Sequence, residues 1–161
     1  MPWEKYSSLC LLGTGGHGQV FLASRLVTNR PCVIKMALPG DEATLQREAD
    51  ALMLLPEHPN CIRLLDVGDG YYAMEFFEGA PLHVYFMHHQ PLPLFFAVSV
   101  LRAIFRGLAH YHAHGLCHDD VSPENVLIRW EDEDAVTVLI DPLIPDPDLP
   151  EDMFDGKPEY L

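Results

Sequence analysis

The chain has 161 residues, 48 % of them hydrophobic, and a formal net charge of −14 from 24 acidic and 10 basic residues. That apolar share supports one packed domain and excludes general disorder. The acid excess repels nucleic-acid phosphates and anionic membrane surfaces, so no nucleic acid and no membrane is expected as a partner, and a protein partner would be basic.

The first third reads as strands. Residues 6–12 read as a strand, and the cluster Gly13-Thr14-Gly15-Gly16-His17-Gly18 follows. Residues 19–24 form a second strand, Thr28-Asn29-Arg30 a turn, and 32–36 a short apolar third strand. Pro39-Gly40 breaks the chain, and Asp41 can cap a helix running to about residue 55, with Leu45, Ala49, Leu52 and Met53 near one face. Strands over 62–67 and 71–76 flank Gly68-Asp69-Gly70. Residues 91–114 then carry Ala97, Val100, Leu101, Ile104, Leu108 and Tyr111 at helical spacing, closed by Gly115. Strands over 126–129 and 136–140 pair around the acidic turn 131–134, and a proline- and acid-rich tail ends the chain.

Cys10, Cys32, Cys61 and Cys117 stand far apart with no CxxC pair, which suggests neither a zinc knuckle nor a redox motif. The start MPWEKYSS lacks a leader pattern. The longest apolar run, 92–101, is short of a membrane span. A reducing cytoplasm is the expected compartment.

Chemistry concentrates in four places. Gly13-x-Gly15-x-x-Gly18-x-Val20 lies between two strands; glycines there let backbone approach phosphates. Lys35 ends the apolar strand Cys32-Val33-Ile34, a place that suits an ammonium reaching a phosphate and an acidic partner, which Glu48 on the next helix can supply. In His118-Asp119-Asp120-Val121-Ser122-Pro123-Glu124-Asn125, a carboxylate able to orient a hydroxyl stands five residues before an amide able to bind a metal. Asp141 follows the apolar strand 136–140, where a carboxylate is costly unless paired or bound to a cation such as Mg²⁺.

In this order and spacing the chain resembles the eukaryotic-like protein kinases, Ser/Thr type, over residues 6–161. The connecting text agrees: Arg47-Glu48-Ala49, His58-Pro59-Asn60, Met74-Glu75-Phe76-Phe77-Glu78-Gly79, His114-Gly115-Leu116 and Gly156-Lys157-Pro158-Glu159-Tyr160-Leu161. The resemblance implies an α+β, two-lobe fold. An N-lobe (1–76) has an antiparallel sheet plus one helix, a hinge spans 77–80, and an incomplete helical C-lobe (81–161) ends in the activation segment. It implies ATP and Mg²⁺ as cofactors and a protein substrate. Gly13, Gly15 and Gly18 would cover the phosphates. Lys35 would hold them and pair with Glu48, Asp120 would serve as base, and Asn125 and Asp141 would hold magnesium. Leu12, Val20, Val33, Met74 and Leu127 would wall the adenine pocket, with backbone contacts from Glu75 and Phe77.

Several positions depart from the family. Asp119 replaces the arginine that answers a loop phosphate, and residues 141–161 contain no Ser or Thr, only Tyr160. Switching by loop phosphorylation is therefore not expected. The seven acids of that segment favour a basic substrate or simply solvate it. Ser122 stands where the family has lysine, and Lys157 where it has threonine, so the swap either returns a cation to the transferred phosphate or is drift. Asp-Phe-Gly reads Asp141-Pro142-Leu143, and Val33 replaces an alanine above adenine. The chain stops where the family continues with more helices. That leaves Phe95, Phe96 and Phe105 exposed or covered by a partner, and it leaves three readings open: an active enzyme, a binding module without turnover, or a remnant.

Overall fold

The computed structural model describes residues 4–16, 18–88, 93–131 and 134–142. The predictions for Lys157, Tyr160 and most of the acidic tail fall outside them. The chain divides into two units: unit 1 is Met1–Leu54 with Arg63–Phe76, and unit 2 is Leu55–Ile62 with Phe77–Leu161.

Unit 1 is an antiparallel five-stranded sheet in the order β1-β2-β3-β5-β4. Its strands are β1 (Tyr6–Thr14), β2 (Gly18–Arg25), β3 (Pro31–Ala37), β4 (Leu64–Gly68) and β5 (Tyr71–Glu75). Asn29 and Gly70, both at positive φ, make the tight returns after β2 and β4. Directly paired residues share a face of an antiparallel sheet. On one face Tyr6, Ala23, Cys32, Ile34, Tyr71 and Ala73 form a buried apolar cluster. On the other, Val20 pairs with Lys35, Lys35 with Tyr72, and Val33 with Met74.

Helix α1 (Glu42–Leu54) follows Asp41, whose carbonyl accepts its first-turn bond from the Leu45 amide. Leu45, Ala49 and Leu52 are buried as their spacing predicts, but Met53 is 60 % exposed. One residue on from Leu52 is a turn of 100°, which carries Met53 off the packed face. Strand β4 starts at Leu64 rather than 62. The reason is that Ile62 donates to the Leu139 carbonyl and Leu139 donates to the Asn60 carbonyl, both within unit 2.

Unit 2 holds the three-stranded sheet β6-β7-β8, made of Ala80–Pro81, Val126–Glu131 and Asp134–Leu139, with helices α2 (Leu82–His88) and α3 (Leu94–Ala113). Strand β6 and helix α2 were not expected from the sequence; both are too short for a periodic signal. The buried side of α3 is Phe96, Val100, Ala103, Gly107 and Tyr111. The predicted phase is corrected at Leu101, which is 51 % exposed. Phe95 and Phe105 are exposed as expected, whereas Phe96 is buried, stacked on Tyr85 at 4.6 Å and packed on Trp130 at 5.3 Å. A Cβ on Gly107 would lie 2.7 Å from Leu139 Cδ1 and 2.9 Å from the Asn60 carbonyl, so only glycine lets the helix come this close. Gly115, at φ +72°, ends α3: its amide donates to His112 and that of Leu116 to Tyr111. By length and composition α3 could cross a bilayer, which a count of the run 92–101 understates; the core helix of a soluble protein meets the same measure.

Candidate functional site

The predicted residues form two constellations, one in each unit. In unit 1, Lys35 and Glu48 are buried, 7 % and 3 % exposed. Lys35 Nζ donates to Glu48 Oε2 at 2.6 Å. Removing two charges from water offsets much of their attraction, so such a pair is weak evidence for stability and better evidence for a role. The sheet brings Lys35 here because β3 alternates: Cys32 and Ile34 enter the apolar cluster, and Val33 and Lys35 take the opposite face. Val33 and Met74, called as adenine walls, are buried on that face; Val20 is half-buried, and Leu12 is exposed near the end of β1.

The glycine cluster forms the turn from β1 to β2, closed by the Gly15 amide donating to the Gly18 carbonyl at 2.9 Å. Gly13 has open space around its missing side chain, as a backbone that must approach a ligand requires. Gly18 is needed for a different reason: a Cβ there would meet the Met36 carbonyl at 2.7 Å.

Sequence reading missed Tyr72. It is wholly buried, and its hydroxyl donates to Glu48 Oε2 at 3.1 Å. The signal was present in the alternation of β5, which puts Tyr72 on the face of Met74, but pairing with Lys35 depends on register between strands far apart in sequence.

In unit 2, Asn125 Nδ2 donates to Asp120 Oδ2 at 2.7 Å and to the Asp120 carbonyl at 3.0 Å. Both bonds use the amide nitrogen, which turns Oδ1 into the atom Asn125 offers a cation. The Asn125 amide donates to the Ser122 carbonyl and the Asp120 amide to the His118 carbonyl, so the loop is tied within itself. Asn125 immediately precedes β7, and its carbonyl accepts from Ile140, which follows β8. The hairpin therefore sets Asp141 one residue beyond the Asn125–Ile140 bond. Asp119 and Asp141 both have positive φ, 53° and 52°. Ser122 is buried, and Leu127 is half-buried on β7, paired with Pro81.

His118 is buried, and neither ring nitrogen meets hydrogen-bond geometry. Burial holds its pKa below the ordinary value, although the Ile140 backbone and the Asp120 and Asp141 carboxylates pull the other way. Glu75 and Phe77 were assigned backbone contacts to adenine. In the structure the Glu75 amide donates to the Arg63 carbonyl and the Phe77 carbonyl accepts from the Gly79 amide.

Among the described residues no three His, Cys, Asp or Glu side chains converge on a metal-sized point. Asn125 and Asp141 supply oxygen donors, which suits Mg²⁺, a cation that takes few protein ligands when phosphates and water provide the rest.

A family model described as the protein kinase domain matches residues 6–141. The chain is 36 % identical over 148 residues to the serine/threonine-protein kinase pkn3 of Myxococcus xanthus, covering 84 % of this chain and 27 % of that protein. It is 32 % identical over 135 residues to the serine/threonine-protein kinase PrkC of Bacillus subtilis, covering 77 % of this chain and 20 % of the relative. The chain thus spans about a quarter of the length of these relatives. Among solved structures, a double mutant of the Mycobacterium tuberculosis PknI kinase domain superposes with a TM-score of 0.73 at 26 % identity, over 91 % of this chain and 64 % of that one. Rad53 in complex with AMP-PNP superposes at 0.74 with 23 % identity, over 87 % and 38 %, a likeness of fold.

Proposed function

The chain belongs to the protein kinase family, and from that premise we propose that it binds MgATP and transfers a phosphoryl group to a Ser or Thr hydroxyl of a protein. The observation that carries this is the buried Lys35–Glu48 pair at 2.6 Å, a costly arrangement for packing alone and a fitting one for phosphate binding. Lys35 places its charge on the α- and β-phosphates, held to one direction by Glu48. Asp120, fixed through Asn125, orients the acceptor hydroxyl and takes its proton. Asn125 Oδ1 and the Asp141 carboxylate would hold Mg²⁺, which when bound neutralises phosphate charge. Catalysis of this kind is positioning and electrostatics more than covalent chemistry. The acidic surface suits a basic protein substrate, and cytoplasmic action is part of the same reading.

Asp119 and Leu143 in place of the family's arginine and glycine favour a second reading, a nucleotide- or partner-binding module without turnover. One experiment separates the two. The chain is melted with and without MgATP, then incubated with γ-labelled ATP and a mixture of casein and histone. Binding at a hundredfold excess over Kd stabilises by about 2.7 kcal/mol and raises the midpoint. Label should appear in protein, and Asp120→Asn should lower it by about 10²–10⁴-fold while keeping the midpoint shift. A shift without label leaves the binding module. No shift at all refutes both readings of nucleotide binding.

A further inference from the structure

We infer that Tyr72 is a positioning residue for the phosphate-binding lysine, acting through Glu48; the inference deepens the proposed function and rests on it. Tyr72 and Lys35 are direct partners across the β3–β5 ladder, so their side chains leave the sheet on one face. From there Lys35 Nζ and the Tyr72 hydroxyl both donate to one atom, Glu48 Oε2, at 2.6 Å and 3.1 Å. The carboxylate comes from the middle of α1, and the two donors from adjacent strands. Two directed bonds converging on one oxygen fix where that oxygen lies, which a single ion pair on a flexible lysine does not.

The hydroxyl is also more than a packing by-product. Tyr72 is wholly buried, and a phenylalanine there would fill nearly the same volume with no polar group to satisfy. A buried hydroxyl is costly without a partner, and its partner here is a charged group that unit 1 must hold in place for Lys35. The sheet therefore contributes its own tether on α1. The Lys35–Glu48 pair is assembled by unit 1 alone, before any nucleotide binds.

The test is Tyr72→Phe, read in two ways. In the nucleotide-free chain, amide hydrogen exchange of α1 should quicken about tenfold in Tyr72→Phe, as expected for loss of a bond to a charged acceptor. The same substitution placed in a Lys35→Met/Glu48→Leu chain, which leaves no buried charge behind, should change α1 exchange by less than about twofold. A mere loss of packing would act equally in both backgrounds, and equal effects would overturn the inference, as would no effect in either. In the second reading, the affinity for AMP-PNP with MgCl₂ should weaken about fivefold in Tyr72→Phe. If the unsubstituted chain does not bind AMP-PNP, the nucleotide reading fails, and the exchange comparison still decides the role of Tyr72.

Discussion

The two units hold their functional groups over different distances along the chain. In unit 1 the bonds to Glu48 come from residues 13 and 24 positions away. In unit 2 the bond that fixes Asp120 comes from 5 positions away, and the loop closes on itself through His118 and Ser122. One constellation exists only because a sheet has formed in register; in the other the Asp120–Asn125 loop is written into eight consecutive residues, and only Asp141 is brought to it by the β7–β8 hairpin. The contrast predicts that unit 1 responds to substitution as a packed assembly, and the loop of unit 2 as a local motif.

The sharpest way to break that comparison is Lys35→Ala. It strands a buried carboxylate, and urea unfolding should show a loss of about 3–5 kcal/mol. Replacing both partners, Lys35→Met with Glu48→Leu, should recover nearly all of it. An equal loss in the single and double variants would mean that the pair has no special electrostatic standing.

Helix α3 offers the next comparison, between its own two sides. Phe96→Ala removes a ring stacked on Tyr85 and packed against Trp130 and should lose about 3–5 kcal/mol. Phe105→Gln, on the open side, should stay within about 0.5 kcal/mol. A large loss at Phe105 would show that this side is covered in solution.

The smallest effect is acid sensitivity. Burial, then His110 and Arg106, hold the His58 pKa below 6.5, and burial does the same for His118. Both groups lie in unit 2. Above pH 6.5 both folded and unfolded states are neutral there. As pH falls below 6.5 the unfolded chain takes protons first, so stability declines from that point down through the lowered folded values. In unit 1, burial raises the Asp66 pKa but the bonds from Lys5 and Tyr6 outweigh it, leaving a net depression below 3.8. That contribution is complete above 3.8 and is lost only as pH falls through the lower folded value. Amide exchange followed from pH 7 to pH 5 should therefore show unit 2 loosening while unit 1 keeps its protection; loosening of both together would remove the distinction.

This difference in distance also explains what could be read beforehand. The strands of unit 1, α1 and the β7–β8 hairpin were legible because periodicity and turn residues are local. Asp120 and Asn125 were legible as candidate residues for the same reason, though not the bond between them, and Glu48 was legible as a partner for Lys35 from its place on the helix that follows the strand. Tyr72 was invisible because its partner is set by register. On α3 the spacing placed Val100, Ile104, Leu108 and Tyr111 on the packed side, put Leu101 there wrongly, and missed Gly107, because a glycine gives no apolar signal although its small size is what seats the helix on Leu139.

The stitching of Asn60 and Ile62 to Leu139 has a consequence for dissection of the molecule. The chain passes between the units three times, after Leu54, after Ile62 and after Phe76, rather than once. Scission at Phe76 alone would not release unit 2 whole: the residues from 77 onward would leave the Leu139 amide and carbonyl without Asn60 and Ile62, and the Gly107 contact half empty. Neither half is a heritable module that a simple fusion or a single crossover could exchange. Shuffling with a relative should preserve folding only when 55–62 travels with the C-terminal part.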